Sequence, residues 1–290
     1  MLEVRGQVAP AIGPETLRAF AHAVRERLGL AQPGRRFEVL GHRLREAMRI
    51  AGWECDPAAF VFAFASGSDD EAISLAVADA ITNQETSFFR DVRQLAAAMG
   101  ELVPEVMSSA PGGEPLRILS AGCSTGEEVY SLAMLLLDRP QVLWGRRAQL
   151  VGIDVSSSAL EVARSGCYRI GAIARAGAGP GDWERRYFAR EDERFTARPL
   201  LRSMTRFARG NLVAPRTLGA LGRFDLVVCR NVLIYFDAET LARAVETLVG
   251  LVRPGGALVL GHAESGMATS IQGWMNRSPD LIWYRRPEDA

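Results

Sequence analysis

Cysteine is scarce in this sequence and never falls at metal-ligand spacing. The four thiols, Cys55, Cys123, Cys167 and Cys229, are spread over 290 residues without a CxxC pair. That argues against a zinc ribbon or a disulfide framework and for free thiols in a reducing compartment. Net charge is lacking too, because 34 basic residues balance 34 acidic ones. Proteins that grip nucleic acid usually carry a basic excess to neutralise phosphates, so nucleic acid is not an expected partner. No basic-then-apolar leader opens the sequence, and no apolar run nears the ~20 residues that span a bilayer. The expectation is a cytoplasmic protein with no membrane insertion and no metal.

What is present falls into two styles. The first hundred residues have helical periodicity. Leu17, Phe20, Ala21, Val24 and Leu28 form one apolar stripe, and Phe37, Leu40, Leu44 and Met48 form a second after Pro33-Gly34. The second helix carries Arg35, Arg36, Arg43, Arg45 and Arg49 on its other faces. Taken alone, such a run is a solvated helix face. A third helical stretch, about 70 to 80, leads into a mixed polar and aromatic run from Ile81 to Asp91. Beyond the Pro111-Gly112-Gly113 linker, short apolar runs alternate with helical periods. Strands are expected at 116–120, 149–154, 224–229 and 256–260, with Pro254-Gly255-Gly256 stopping the helix before the last. Such alternation indicates βαβ units around a parallel sheet. From about Tyr168 to Phe207 the rhythm breaks, and a small inserted antiparallel sheet is expected there.

The local signal for chemistry is Ser120-Ala121-Gly122-Cys123-Ser124-Thr125-Gly126-Glu127-Glu128, where the first strand turns into a helix. Small residues at such a turn let the backbone approach a ligand. A GxGxxG dinucleotide spacing is absent; Gly122, Ser124 and Gly126 match the GxGxG loop of Rossmann-like methyltransferases, with serine in the middle. Asp154 ends the second strand, where an acid can accept ribose hydroxyls, although Ser156 to Ser158 could equally cap the next helix. The fourth strand ends in Arg230-Asn231 and then Tyr235-Phe236 at the sheet edge where ligands bind. Aromatic faces favour a diffuse cation such as a sulfonium, which points to a methyl donor; the alternative is that Tyr235 and Phe236 only pack the following helix.

Five blocks resemble the chemotaxis receptor glutamate O-methyltransferase family. They are ITNQETSFFRD, ILSAGCSTGEEVYSLAMLL, VGIDVSSSALEVARSGCYR, RFARGNLV, and FDLVVCRNVLIYF with its tail RPGGALVLGHAES, and they occur in the family's order. The resemblance implies an α/β fold: a Rossmann-like class I methyltransferase domain (101–290) with a small inserted antiparallel β-subdomain (about 168–207), preceded by an all-helical N-terminal domain (1–100). It implies S-adenosyl-L-methionine as methyl donor and S-adenosyl-L-homocysteine as product. The implied contacts are Thr86 and Arg90 from the interdomain segment, Gly122, Ser124, Glu127 and Asp154 along the cofactor, Asn211-Leu212 near its adenine, and Asn231-Val232 near its methionine part. Two places before the threonine, where the family commonly has asparagine or glycine, stands Gln84. The segment from Gly171 to Trp183 is also unusually rich in glycine and alanine for the family.

The implied substrate is a glutamate side chain in the cytoplasmic helical domain of a chemotaxis receptor, methylated by a monomeric enzyme. A carboxylate with a pKa near 4.3 is ionised at neutral pH, so no general base is required, and neither His22 nor His262 is proposed as one. Tyr235 is the first candidate for substrate positioning and Arg230 the second, the alternative for Arg230 being a salt bridge within the fold. In this context Arg36, Arg43 and Arg49 become candidates for docking an acidic receptor helix. The alternatives are a methyltransferase acting on another protein or a small-molecule carboxylate, and a non-catalytic cofactor-binding adaptor.

Overall fold

The computed structural model describes residues 12–31, 37–67, 71–109, 113–179 and 181–288. The chain divides into two compact units, the first ending at Ile81 and the second beginning at Thr82. The boundary therefore lies well before residue 100, because the helices that follow Asp91 belong to the core of the second unit.

The first unit holds four helices: α1 (Pro14–Leu28), α2 (Phe37–Ile50), α3 (Pro57–Ser66) and α4 (Glu71–Ile81). Helix α1 starts with Pro14 at its first turn and stops at Gly29, whose left-handed backbone (φ 75°) lets its N–H reach the Arg25 carbonyl. Leu17, Phe20, Val24 and Leu28 are buried as their spacing requires. Helix α1 packs on α3, and α2 on α4. Leu40, Leu44 and Ala47 form the buried stripe of α2, whereas Phe37 at its first turn is 47% exposed. Helix α3 was not expected from the sequence. Its Phe60, Val61 and Phe64 face inward while Phe62 faces solvent, so the run is apolar all round and shows no stripe.

The second unit begins with α5 (Val92–Ala97), a π-helical turn at Ala98–Leu102, and α6 (Val103–Ser108). Strands and helices then alternate: β1 (Leu116–Ala121), α7 (Glu127–Leu137), β2 (Ala148–Asp154) and α8 (Ser157–Ser165). The insertion follows, with β3 (Cys167–Arg169), α9 (Ile170–Ala174), α10 (Trp183–Tyr187), β4 (Phe188–Glu191) and β5 (Arg194–Ala197). The chain closes with α11 (Pro199–Met204), β6 (Thr205–Arg209), β7 (Phe224–Cys229), α12 (Ala238–Leu251), β8 (Val252–Leu260), β9 (Met275–Arg277) and β10 (Ile282–Arg285).

Seven strands form the main sheet in the order β6-β2-β1-β7-β8-β10-β9. The first five are parallel, while β10 and β9 run antiparallel to their neighbours. Successive residues send side chains to opposite faces. Leu226 and Val228 of β7 thus enter one core with α5–α7, while Val227 and Cys229 enter the other with α12. The inserted β3, β5 and β4 pair antiparallel as a separate three-stranded sheet.

The insertion ends sooner than the sequence indicated, because β6 pairs in parallel with β2 and is the edge strand of the main sheet. Helix α12 likewise ends at Leu251, before Pro254, and Pro254-Gly255 lie where β8 breaks register with β7. Among the described residues no helix is long and apolar enough to cross a membrane.

Candidate cofactor site

Chain order reverses between β1 and β7: β2 lies on one side of β1 and β7 on the other. In an open parallel sheet the crevice at that reversal, beyond the carboxyl ends of the strands, is where ligands bind. The residues singled out by sequence converge there. Gly122 follows β1 with φ 74°, and a Cβ placed on it would lie 2.3 Å from Val232 Cγ2, the side chain that follows β7. Only glycine lets these two strand ends approach so closely. The N–H groups of Gly122 and Cys123 both donate to the Ile153 carbonyl (2.8 and 3.0 Å), which ties the loop to β2.

Asp154 fixes the next part. Its Oδ2 accepts the Ser124 N–H (2.8 Å) and its Oδ1 the Ser156 N–H (2.9 Å). These bonds hold Ser124 in the left-handed region (φ 47°) and set the plane of the carboxylate at the end of β2. Capping of α8 falls to Ser156, whose hydroxyl accepts the Ala159 N–H (3.1 Å). The alternative of Asp154 as a mere helix cap therefore loses its task.

Gln84 reaches across this loop. Its side-chain amide donates to the hydroxyls of Ser156 (3.1 Å) and Ser158 (3.3 Å), and its carbonyl accepts from the Ser124 hydroxyl (3.3 Å). Neighbouring Asn83 donates to the Tyr235 hydroxyl at 3.3 Å. Residues 82–87 thus form a strap joining the loops after β1, β2 and β7. Thr86 is half-buried in it, and Arg90 just beyond donates to the Glu85 carbonyl (3.2 Å). Beside β2, Gly210 donates to the Asp154 carbonyl (3.0 Å), placing Asn211 and nearly buried Leu212 next to the same strand end. Asn211 Oδ1 accepts the Val213 N–H (3.0 Å), a short turn that fixes the loop.

Glu127 begins α7 with a buried carboxylate that accepts the Thr125 hydroxyl (2.6 Å). Burial raises its pKa above the ordinary glutamate value, opposed by the Thr125 hydroxyl and by Arg175. Burial, with help from the Asp154 and Glu128 charges, pushes the Cys123 thiol far up. It stays protonated and is not a nucleophile.

Arg230 makes its ion pairs within the fold. Its side chain is 1% exposed and makes four hydrogen bonds: Nε to Gln94 Oε1 (2.8 Å), Nη1 to Glu128 (2.9 Å), and Nη2 to the Arg90 carbonyl (2.9 Å) and Asp91 (2.7 Å). A guanidinium has five N–H donors. Four of them are committed here, and they fasten the end of β7 to the turn at Phe89 and Asp91, both left-handed (φ 54° and 51°).

The glycine-rich insertion acts on the same turn. Gly177 donates to the Phe88 carbonyl (2.7 Å), and Cβ atoms on Gly177 and Gly179 would strike Phe89 at 2.3 and 2.5 Å. The Tyr168 hydroxyl donates to the Thr125 carbonyl (2.7 Å). The small sheet therefore braces both the glycine loop and the turn that follows the strap.

The docking candidates belong to the first unit. Arg43 is half-buried and donates to the Ala80 carbonyl (2.8 Å), closing the C-terminal turn of α4. Arg49 is exposed and paired bidentately with Glu46 (2.9 and 2.6 Å). Arg45 is exposed, and Arg36 lies outside the described residues. His262 is exposed after β8.

The donor set fits an adenosyl cofactor. An acid is fixed at the end of β2, hydroxyl and amide groups surround it, and the loop after β1 has no room for a side chain at Gly122 or Gly126. Residues 84–277 match the family described as CheR methyltransferase, SAM binding domain. The chain belongs to the CheR methyltransferase family. The match spans the small sheet, every strand of the main sheet but β10, the strap from Gln84 and the loops that converge at the crevice. The chain is 38% identical over 192 residues to chemotaxis protein methyltransferase 1 of Pseudomonas aeruginosa, covering 65% of this chain and 69% of that one. It is 34% identical over 213 residues to chemotaxis protein methyltransferase 2 of Vibrio cholerae serotype O1, covering 73% of each. A third relative, "Probable biofilm formation methyltransferase WspC" of Pseudomonas aeruginosa, is 35% identical over 74% of this chain and 50% of its own length. The chain is thus an S-adenosylmethionine-dependent methyltransferase of the CheR family.

Sequence reasoning missed Glu264. Asn83, one place from the position where the family commonly has asparagine or glycine, meets Tyr235. Glu264 lies in the GHAES tail that carried the resemblance, yet an acid next to a serine after a strand looks like a solvated turn. In the fold it is completely buried.

Proposed function

We propose that this chain methylates glutamate side chains in the cytoplasmic helical domain of a chemotaxis receptor, giving glutamyl methyl esters. The observation that carries the substrate class is the similarity to relatives named as chemotaxis protein methyltransferases. The side chains at the cleft agree with it. Tyr235 faces Asn83, Cys123 is held as a neutral thiol, and His262 points to solvent. These groups suit a nucleophile that arrives already ionised, as a carboxylate does at neutral pH.

S-adenosylmethionine supplies an electrophilic methyl carbon on a sulfonium. Asp154 holds the ribose, Gln84, Thr86 and Arg90 cover the cofactor from the strap, and Gly122 and Ser124 admit it to the loop. Glu127 would lie along it, Asn231 and Val232 would flank its methionine part, and Asn211 and Leu212 its adenine. Attack by a carboxylate on a sulfonium methyl removes charge on the way to the transition state. Water and tight cationic contacts on the attacking oxygen both favour the separated charges, so the useful contribution is alignment in a dry cleft. Tyr235 is the group placed to align the acceptor.

On α2 the docking role passes to Arg45 and Arg49, since Arg43 is occupied within its own unit. The similarity to a relative named for biofilm formation favours a second reading, in which the acceptor belongs to another signalling route. The test is transfer of tritiated methyl groups into membranes bearing individual receptors, followed by base treatment. Volatile methanol released from labelled receptor is the expected result. Label that resists base, or no label in any receptor, refutes the proposal.

A further inference from the structure

Glu264 has no part in the chemistry above, yet it is fully buried, and its carboxylate accepts four main-chain N–H groups. Oε1 accepts the N–H groups of Val232 and Leu233 (2.7 Å each), and Oε2 accepts those of Asn231 (2.8 Å) and Gly261 (3.0 Å). Three of the four donors are consecutive residues of the turn after β7, and the fourth ends β8. Asn231 within this turn has φ 59°, a left-handed conformation that costs a non-glycine residue energy and persists only where its surroundings enforce it. The same turn presses Val232 against Gly122 across the crevice, and Tyr235 closes on it through a bond from its N–H to the Val232 carbonyl (3.1 Å).

We infer that Glu264 is the positioning residue for the methionine side of the cofactor site, acting through the backbone of Asn231 to Leu233. The inference rests on the reading of the crevice as the S-adenosylmethionine site. A carboxylate is the one side chain that offers two acceptor oxygens to four converging donors. Glutamine cannot replace it: each oxygen serves two N–H groups, so either orientation of the amide turns an NH2 toward two donors.

The matched control lies at the opposite end of the same strand. Asp225 is also a buried carboxylate, accepting the Arg117 N–H (2.8 Å) and Arg253 Nε (2.5 Å), but it is remote from the crevice. Calorimetric titration with S-adenosylhomocysteine and thermal melts are run on the whole chain for the parent, Glu264→Gln and Asp225→Asn. Both variants should melt lower. Only Glu264→Gln should lose cofactor affinity, by about tenfold or more, with turnover falling by about 10²-fold, the scale of a 1 Å misplacement. Asp225→Asn should bind within about twofold of the parent, as distant sites act independently.

A second variant keeps the charge and moves the carboxylate. A Cβ on Gly261 would lie 2.3 Å from Glu264 Oε2, so Gly261→Ala displaces it and should also weaken binding. This variant decides the matter if Glu264→Gln does not fold. Parental affinity and turnover in the folded variants, with only the melting temperature lowered, overturn the positioning role and leave Glu264 a structural residue. Failure of the parent itself to bind S-adenosylhomocysteine overturns the cofactor site and this inference with it.

Discussion

Replacing Asp154 by asparagine tests the core of the cofactor reading. The carboxylate accepts one N–H on each oxygen, from Ser124 and from Ser156. In asparagine one oxygen becomes an NH2, so one of these donors loses its acceptor. A partly buried donor left unpaired costs about 1–3 kcal/mol. At roughly 2–4 °C per kcal/mol for a domain of about 200 residues, the melting temperature should fall by about 2–12 °C. Cofactor affinity carries a separate loss. A hydrogen bond to a charged acceptor contributes about 1.5–3 kcal/mol, so the affinity for S-adenosylhomocysteine should fall by about 10- to 150-fold. The two effects separate in titration calorimetry at 15–20 °C below the variant's melting point, where both proteins are folded. Parental affinity in a folded, less stable variant would mean that Asp154 only shapes the loop, and the assignment would fail.

Three further outcomes follow. Reversing Arg45 and Arg49 to glutamate should cripple receptor methylation at low salt with cofactor affinity intact; a parental rate would make α2 a solvated face. The parental rate should itself fall with added salt, since exposed charges are screened over about 10 Å at 0.1 M. The pKa of Glu127 is raised by burial, so its contribution to stability is full below the unfolded pKa and is lost as pH rises through the folded one. Glu127→Gln should therefore flatten the decline in melting temperature above the ordinary glutamate range and melt higher at neutral pH; an unchanged pH profile refutes this. Tyr235→Phe removes the acceptor of the Asn83 amide and should leave cofactor affinity within about threefold while lowering turnover, the pattern of a group that serves the acceptor. A loss confined to cofactor affinity would assign Tyr235 to the other ligand.

The parallel half of the fold was legible because its signals are local. Buried strands such as Phe224–Cys229 are apolar runs broken only at Asp225, and the glycines at 122 and 126 mark a turn that a side chain would block. Helix α3 was not legible, because apolar residues on every face leave no period. Strands β9 and β10 are only three and four residues long, below the length at which alternation can be seen. Strand β6 was absorbed into the insertion because only its pairing with β2 distinguishes it from the short strands before it. In the site, Asp154 and the glycine loop were found because their chemistry depends on position along one strand and turn. The choice between the two readings of Arg230 stayed open and Glu264 was missed, because their partners lie 102–140 and 31–33 residues away, respectively, save the Gly261 contact.

Those two residues show what this catalyst must spend its structure on. On the proposed function the reaction needs neither a base nor an oxyanion hole, so little of the machinery touches the reacting atoms. The demand is then geometric, since a methyl carbon and a carboxylate oxygen must be held in line with water kept out. Arg230 and Asn231 are consecutive, and each is held by side-chain acceptors: the buried Arg230 side chain by Glu128, Asp91 and Gln94, the Asn231 backbone by buried Glu264. Arg230 fixes the turn bearing Arg90, and Glu264 fixes the turn bearing Val232 and Tyr235. Gly177 and Gly179 then press the insertion onto Phe89 from a third direction. The glycine richness that set this insertion apart from the family pattern is what permits that contact. An insertion with larger residues there would have to stand off from Phe89, and the turn between the strap and the sheet would lose one of its supports.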